Sequence, residues 1–389
     1  MELIKEKYKQ TDVGLIPSDW EVKKIGEVLK VIGGGAFKSI DSTDIGVRWL
    51  KIANVGINQI LWNDESFLPI NFAGENKSFL LKEGDYVLAL TRPLLDRKLK
   101  ISKLKKQDVP ALLNQRVGKI QVEENNDADF LYFVFQKHDV INGLLQSMDG
   151  TDPPNLGNRG IYNIDFAFPP TKTEQTLIAT ALSDADTYIT SLEKLITKKR
   201  NIKQGAMQKL LQPKEGWEVK KLGDVVNIRK GQLITENTRI NGNIPVIAGG
   251  KTPAYFHNKA NRFGKTITIS GSGASAGYVA FHKNPIFASD CSTIEESNEY
   301  CIEFIYSLLL LFQERIFQKQ TGGAQPHIHP SDLNPIEIPF SSIKEQTHIA
   351  TILLNMDIEI EGIEKKLEKV KMVKQGMMQQ LLTGKIRLV

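Results

Sequence analysis

A long amphipathic stretch occurs twice in this chain, and it constrains the fold more than any other feature. The first copy covers residues 174–211 and the second 345–382, at a constant offset of 171 residues (345 − 174 = 171). Apolar residues recur in both copies at alternating spacings of four and three, which is the 3.5-residue period of a coiled-coil seam. The predicted seam contains Ile178, Leu182, Ile189, Leu192, Ile196, Leu353, Met356, Ile360, Ile363 and Leu367.

Each copy also carries the start signal of a helix. Thr171 with Glu174, and Ser342 with Glu345, have the spacing of a capping box. A helix over either copy is roughly 57 Å long at 1.5 Å per residue, and it cannot bury its seam alone. The sequence therefore predicts that the two helices pair in antiparallel orientation as a strut. The alternative is two ordinary amphipathic helices that each cover their own domain, although such helices average only about 11–12 residues.

The repeat extends beyond the helices. The segment Trp-Glu-Val-Lys-Lys begins at Trp20 and returns at Trp217, and each copy opens a globular segment. Short β-type runs separated by turn residues follow, at 47–52, 86–90, 117–122, 244–248, 266–270 and 277–281. Proline-bounded strands at 166–169 and 336–339 then lead into the long helices.

These observations predict a mixed α/β (α+β) fold with an internal pseudo-two-fold repeat. We expect a first globular domain at 1–170, a central coiled-coil helix at 171–212, a second globular domain at 213–340 and a C-terminal coiled-coil helix at 341–389. The frameworks of the two halves match, whereas their interiors diverge almost completely. This pattern indicates a duplicated domain whose two copies keep a common scaffold but differ in the residues that contact a partner.

Composition narrows the class of protein. A hydrophobic content of 41% supports packed cores, and a net charge of +5 permits binding to nucleic acid. The two cysteines, Cys291 and Cys301, form no disulfide framework and fit a reducing cytoplasm. Because the longest apolar run, 304–312, is too short to cross a bilayer, we expect a cytoplasmic protein without membrane contact.

Four fragments imitate catalytic or metal motifs, and each fails a test of spacing or of residue type. The Gly-Lys-Thr segments at 250 and 264 lack the earlier glycine of a phosphate-binding loop, because Pro245 and Lys259 occupy that position. Residues 152–155 resemble the Asp-Pro-Pro-aromatic motif of DNA amino-methyltransferases, but Asn155 is no aromatic. His327 and His329 have no third strong ligand at a familiar spacing, so we expect no metal site.

Basic residues occur at matching places in the two halves and predict a DNA-binding groove. The glycine- and serine-rich loop 270–277 either presents hydroxyls and amides to a phosphate backbone or is a plain turn. The candidate DNA-contacting residues are Arg92, Arg97, Lys98, Arg116, Arg229, Lys230, Lys251, Arg262, Lys265, Ser272 and Ser275.

Together these segments resemble the specificity subunit of type I restriction–modification systems. The resemblance rests on Thr-Asp-Val-Gly-Leu-Ile-Pro at 11–17, the two Trp-Glu-Val-Lys-Lys segments, the twin long helices and the Thr-Gly-Gly-Ala-Gln-Pro loop at 321–326. The corresponding first-half loop, 150–154, departs from the family pattern.

The resemblance implies a non-catalytic reader of double-stranded DNA. Each globular domain would be a target recognition domain for one half of a bipartite, asymmetric site. The helices would set the spacer and dock two methyltransferase subunits, which bind S-adenosylmethionine, and restriction subunits would join them. No cofactor is expected in the chain itself. The alternatives are a coiled-coil adaptor that binds only protein, and part of a restriction–methyltransferase enzyme.

Overall fold

The computed structural model describes residues 7–148, 154–238 and 240–388. The chain divides into two compact units, Met1–Ser191 with Leu367–Val389, and Leu192–Lys366. We refer to them as unit 1 and unit 2. The predicted loop residues 150–153, including Thr151, lie outside the described residues.

Unit 1 contains a series of short strands followed by helices. Its strands are β1 Tyr8–Thr11, β2 Gly14–Pro17, β3 Glu21–Lys24, β4 Leu29–Gly33, β5 Val47–Leu50, β6 Phe67–Leu68, β7 Leu80–Leu81, β8 Tyr86–Ala89, β9 Leu94–Leu95, β10 Lys98–Leu99, β11 Ile101–Lys103, β12 Ala111–Leu113, β13 Val117–Val122 and β14 Asp165–Phe168. Its helices are α1 Phe72–Glu75, α2 Ala128–Val134, α3 His138–Gln146, α4 Asn158–Tyr162 and the first half of α5 Lys172–Leu210.

Unit 2 repeats this order in a shorter form. Its strands are β15 Glu218–Lys221, β16 Arg229–Lys230, β17 Ile244–Ile247, β18 Tyr255–His257, β19 Thr266–Ser270, β20 Val279–His282, β21 Phe287–Ala288, β22 Cys291–Glu295 and β23 Glu337–Phe340. Its helices are α6 Leu222–Val225, α7 Ile302–Leu311, α8 Gln313–Phe317, α9 Pro330–Leu333 and the first part of α10 Ile343–Leu381. Within the described part of the chain, no helix is long and apolar enough to cross a membrane.

The main antiparallel sheet has the same topology in the two units. An antiparallel sheet in the order β4-β13-β8-β11 in unit 1 corresponds strand by strand to β16-β22-β19-β20 in unit 2. A second sheet contains one parallel pair in each unit, β5 with β12 and β17 with β21. The Trp-Glu-Val-Lys-Lys strand pairs with the strand before the long helix in both cases, β3 with β14 and β15 with β23. The predicted mixed α/β fold with an internal repeat is confirmed.

Each core is completed by the start of one long helix and the end of the other. In unit 1, Ile178 and Leu182 of α5 and Leu381 of α10 pack into the cluster around Trp20 and Phe130. In unit 2, Ile349 and Leu353 of α10 pack with Leu211, which follows α5, against Phe304 and Leu308. Unit 1 is therefore built from two separate stretches of sequence, whereas unit 2 is one continuous stretch.

Charged pairs between the two long helices repeat in the two units. In unit 1, the ammonium of Lys374 donates to Asp186 at 2.6 Å, and in unit 2 Lys203 pairs with Asp357. Asp357 and Lys374 are the counterparts of Asp186 and Lys203, 171 residues later. Lys199, which precedes Lys203, pairs at 2.6 Å with Glu359, which follows Asp357. Residue numbers therefore rise along α5 as they fall along α10. The helices thus run antiparallel within unit 2.

The predicted seam residues lie on the covered faces of these helices. Those that are buried are Ile178, Leu182, Leu192, Ile196, Leu353, Ile360 and Leu367, and those that are half-buried are Ile189, Met356 and Ile363. Both helices have 39 residues, which corresponds to about 58 Å at 1.5 Å per residue. These residues are therefore covered to different degrees, and half-burial marks where the covering is thinner.

The starts of the long helices differ in part from the predicted capping boxes. Thr171 Oγ1 accepts from the backbone N of Glu174 at 3.3 Å, and Ser342 Oγ from that of Glu345 at 3.4 Å. The reciprocal bond of the box is replaced, because the glutamate carboxylates accept from tryptophan Nε1 instead. These bonds are Trp20 to Glu174 at 3.3 Å and Trp217 to Glu345 at 2.9 Å.

The glutamine after each of these glutamates is buried and uses both ends of its amide. Gln346 Oε1 accepts from the backbone N of Cys301 at 2.9 Å, and its Nε2 donates to Ser341 O at 2.7 Å. Gln175 makes the equivalent bonds, with the backbone N of Asp127 at 2.8 Å and Pro169 O at 3.1 Å. The Glu-Gln pair therefore fixes each long helix to the domain that precedes it.

Adjacent leucines of α10 test the position of the seam. Leu353 is 2% exposed and Leu354 is 37% exposed, so they carry the same side chain on opposite faces. We expect Leu353→Ala to lower the free energy of unfolding by about 2–5 kcal/mol, because it leaves a cavity in the core of unit 2. Leu354→Ala, the matched control, should cost less than about 1 kcal/mol. Urea denaturation of both variants measures the difference, and equal losses would contradict the assigned face.

Candidate nucleic-acid interface

In unit 1, three loops meet at one edge of the antiparallel sheet and form a cleft of about 610 Å³. The backbone N of Leu90, just after β8, donates to Arg116 O at 3.0 Å, just before β13. The backbone N of Leu156 in turn donates to Leu90 O at 2.8 Å. The cleft is lined by Leu90, Thr91, Gln115, Arg116, Asn155, Leu156 and Gly157.

Unit 2 has a cleft of about 270 Å³ at the same edge of its sheet. The backbone N of Gly271, just after β19, donates to Asp290 O at 3.0 Å, just before β22. The backbone N of Ile328 donates to Gly271 O at 2.9 Å. Since β19 and β22 correspond to β8 and β13, these bonds repeat those of unit 1. The two clefts therefore share one backbone frame.

The side chains on this common frame differ. Arg116 of unit 1 has Asp290 as its counterpart in unit 2, and Asn155 has His327. Thr91 Oγ1 donates to Asn155 Oδ1 at 2.6 Å, whereas the Ser272 hydroxyl donates to the carboxylate of Asp290. Equivalent positions thus present a guanidinium in one unit and a carboxylate in the other.

The basic candidates of unit 1 gather at the edge of its cleft. Arg97 and Lys98 lie on the hairpin of β9 and β10, which joins β8 to β11. Asp96 and Arg97 form the turn with φ angles of 50° and 58°, a left-handed conformation that costs a non-glycine residue roughly 1–2 kcal/mol. Arg92 is also left-handed, and its backbone N donates to Pro154 O at 3.0 Å. This strained backbone carries exposed cations at the same end of the sheet as Arg116.

In unit 2, some of the candidates lie at the equivalent edge. Lys230 and Ser272 line the cleft, and the Lys251 ammonium lies 5.5 Å from the ring centre of Tyr278. Ser275 belongs to the turn that follows, where the backbone N of Tyr278 donates to Ser275 O at 2.9 Å. The loop leads into strand β20, as expected, and not into a phosphate-binding helix.

Arg262 does not lie where DNA could reach it, which corrects its selection as a contact. It is 5% exposed, and its Nε donates to Thr293 Oγ1 at 2.8 Å and its Nη2 to Lys230 O at 3.1 Å. Burial lowers the pKa of its guanidinium, and Glu295 lies 3.3 Å from Nε. The charge of Arg262 thus supports the sheet from within.

Two further candidates lie away from the cleft. Lys265 precedes β19, at the opposite end of that strand from Ser272, and pairs with Glu303 at 2.7 Å. Burial alone would raise the pKa of Glu303, but the bond from Lys265 lowers it. Arg229 pairs with Glu295 at 2.7 Å. The structure does not bring these two residues together with Lys230 and Lys251 at the cleft.

Asp290, Gln115 and Asn155 line the clefts and were missed as binding residues by the sequence analysis. Acidic and amide side chains carry no positive charge, so a cluster of basic residues in the sequence does not point to them. A detectable signal did exist, because Arg116 immediately precedes β13, which pairs with β4, and Asp290 immediately precedes β22, which pairs with β16. Alignment of the two halves on those strands places them at one position.

His327 and His329, the histidine pair found in the sequence, both line the cleft of unit 2. The rings of His327 and His329 stack with centroids 6.3 Å apart, and Asp332 accepts from the backbone N of His329 at 2.7 Å. No group of three potential metal ligands occurs in 7–148, 154–238 or 240–388. Burial raises the pKa of the Cys291 thiol to about 12, so this thiol stays protonated at neutral pH.

A family model, curated relatives and solved structures that resemble this chain all belong to one protein family. A family model described as "Type I restriction modification DNA specificity domain" matches residues 17–204 and 214–372. The chain is 38% identical over 183 residues to the type I restriction enzyme MjaVIII specificity subunit of Methanocaldococcus jannaschii, covering 47% of this chain and 43% of that protein. Its match thus spans less than half the length of that relative.

Two further likenesses extend over nearly the whole chain. The putative type I restriction enzyme MjaX specificity subunit of the same organism is 23% identical over 420 residues, covering 98% of this chain and 97% of that protein. The crystal structure of a type I restriction–modification system S subunit from M. genitalium shares the fold, with a TM-score of 0.66 at 18% identity. It covers 97% of this chain, and the alignment includes 98% of that structure.

The buried Arg262 and the exposed Arg229 provide a test of their different roles. We expect Arg262→Met to lower the free energy of unfolding by about 3 kcal/mol, because it removes the buried donor to Thr293 Oγ1 and Lys230 O. Arg229→Met should cost less than about 1 kcal/mol, because its ion pair is exposed. Urea denaturation measures the free energy of unfolding of both variants. Equally small losses would contradict a buried supporting role for Arg262.

Proposed function

The chain belongs to the type I restriction–modification DNA specificity family, and on that premise we propose that it is the DNA-reading subunit of such a system. Unit 1 reads one half of a bipartite, asymmetric site in double-stranded DNA, and unit 2 reads the other. The contact surfaces are the two clefts and the basic residues beside them.

The repeated cleft is the observation that carries this proposal. One backbone frame recurs in both units, but Arg116 in the first is replaced by Asp290 in the second. A structural role alone would favour similar side chains on a duplicated scaffold, whereas readers of two different sequences need different ones. Phosphate contacts from Arg92, Arg97 and Lys98 would add affinity without sequence preference.

We assign the long helices the role of spacer and docking surface. The charged pairs of Asp186 with Lys374 and of Lys203 with Asp357 hold the two helices together in each unit. Helix length then sets the separation of the half-sites. Two methyltransferase subunits dock on the helices and supply S-adenosylmethionine and the methylation of adenine, and restriction subunits join this assembly. The chain works with these partners in the cytoplasm.

Two other functions lead to different results in simple assays. A coiled-coil adaptor that binds only protein would not retard duplex DNA in a gel, whereas a specificity subunit does. An enzyme would modify DNA without partners. We expect the purified chain neither to methylate nor to cut DNA, and robust methyl transfer by the isolated chain would contradict this proposal.

Neutralising the cleft-side arginines tests the DNA surface. We expect the triple variant Arg92→Gln, Arg97→Gln and Arg116→Gln to bind all duplexes more weakly. The slope of log affinity against log salt should fall by about 0.9 for each phosphate that the variant no longer neutralises. Fluorescence anisotropy across a salt series measures this slope.

A matched triple variant keeps the change in net charge constant. Lys24, Lys103 and Lys265 are exposed and paired with Asp165, Asp129 and Glu303 away from the clefts. Their substitution by glutamine should leave the salt slope unchanged. An equal fall of the slope in both variants would show that net charge, and not the cleft edge, governs binding.

Shortening both helices tests the spacer role. Deletion of residues 192–195 together with their counterparts 363–366 removes about one turn from each helix, or roughly 6 Å. A four-residue deletion nearly preserves the packed face. With duplex DNA rising about 3.4 Å per base pair, the spacer between half-sites should shrink by one or two pairs.

The half-sites themselves should stay the same, because neither cleft is altered. Sequencing of the sites methylated by cells carrying the complete system gives both quantities, and a circular dichroism melt verifies that the variant folds. A folded variant that keeps its original spacer would rule out the helices as the determinant of spacing.

A further inference from the structure

We propose that Arg116 and Asp290 determine the difference between the two half-sites. Arg116 selects a guanine in the half-site of unit 1, and Asp290 selects a base with an exocyclic amino group, cytosine or adenine, in that of unit 2. This inference rests on the proposed function, because it requires the clefts to face DNA.

The two residues occupy one position of the repeated frame. The carbonyl oxygen of each accepts from the first residue after the neighbouring strand, Leu90 in unit 1 and Gly271 in unit 2, at 3.0 Å in both cases. Each side chain lines the cleft of its unit. The backbone therefore delivers both side chains to equivalent places, and only their chemistry differs.

Asp290 is held in a defined orientation. One carboxylate oxygen, Oδ2, accepts from the Ser272 hydroxyl. The other, Oδ1, lies close to Gly271, where an added Cβ would stand only 2.7 Å from it. Because Gly271 has no side chain, the Asp290 carboxylate has space at this position. Ser272 is a positioning residue that fixes Oδ2 and leaves Oδ1 as an acceptor.

A carboxylate in a DNA-binding cleft needs a specific reason. Phosphates repel it, so it weakens binding to every sequence unless a base offsets the repulsion with a donor. In the major groove, only the N4 amino group of cytosine and the N6 amino group of adenine donate. Asp290, which can only accept, therefore favours these bases and disfavours guanine O6 and thymine O4.

Arg116 has the opposite chemistry. Its guanidinium is a planar fork of donors that matches O6 and N7 of guanine in a bidentate pair. The side chain is exposed, and neither an ion pair nor a hydrogen bond to its guanidinium is present among the described residues. It is therefore available to a base at the edge of the cleft.

The alternative role for Asp290 is structural, as an acceptor that only tethers the 271–277 loop through Ser272. Asp290→Asn separates the two roles. Asparagine keeps the size and the acceptor for Ser272, but it replaces the charge and adds amide donors. If Asp290 only tethers the loop, the base preference of the unit 2 half-site should stay the same in Asp290→Asn. If the carboxylate reads a base, that preference should change.

The experiment compares the recognition sites of single variants. The full chain is expressed with its methyltransferase subunits, and methylated sites are sequenced for the wild type, Arg116→Gln, Asp290→Asn and Lys98→Gln. In Arg116→Gln, the preference for guanine at one position of the unit 1 half-site should fall about ten- to hundred-fold. In Asp290→Asn, the preference for an amino-bearing base should fall similarly in the unit 2 half-site.

Each variant contains its own control, because the half-site of the other unit should not change. Lys98→Gln removes an exposed cation of the β9–β10 hairpin. It should weaken binding to all sequences without changing which base is preferred at any position. If the wild type recognises a bipartite site and Arg116→Gln and Asp290→Asn leave both half-sites unaltered, the inference is overturned and the proposed function stands. If the wild type selects no defined site, the proposed function fails and this inference fails with it.

Discussion

Each of the two 39-residue helices carries an apolar stripe that must be covered, and the rest of the structure depends on how this happens. Each unit takes the start of one helix and the end of the other into its core, so that Leu182 and Leu381 meet in unit 1. Burying one leucine or isoleucine stabilises a fold by about 1.5–3 kcal/mol. Because the segment 367–389 completes unit 1, that unit gains its full core only when the end of the chain is in place.

Two buried glutamines, Gln175 and Gln346, fix the starts of the long helices to the residues packed around them. Gln346 joins the start of its helix to Cys301 and Ser341, and Gln175 does the same with Asp127 and Pro169. A buried amide left without its partners costs about 1–3 kcal/mol, so these bonds hold the domains and helices in fixed register. The Glu-Gln residues at the helix starts recur in both units and support the architecture, whereas Arg116 and Asp290 at the sheet edges differ between the units.

The long helices could be predicted from sequence because a 3.5-residue apolar period over such a length is typical of a coiled-coil helix and of little else. Strands were also located well: β13 and β19 have the predicted bounds. The binding surface was harder, because charge alone does not say at which end of a strand a residue lies. Lys265 and Ser272 are close in sequence but stand at opposite ends of β19, and the burial of Arg262 depends on pairing with distant strands. Asp290 became a candidate only when the two sheets could be compared strand by strand.

The central claim is that both clefts face DNA, and hydrogen–deuterium exchange tests it most directly. The measurement compares the chain free and bound to its recognised duplex. If both clefts face DNA, the bound chain should exchange more slowly at 90–100, 114–116 and 154–157 in unit 1 and at 271–277, 289–290 and 326–330 in unit 2. Exchange at the opposite ends of the sheets, 103–106 and 296–300, should not change. Protection confined to one unit, or found at those opposite ends, would contradict the account.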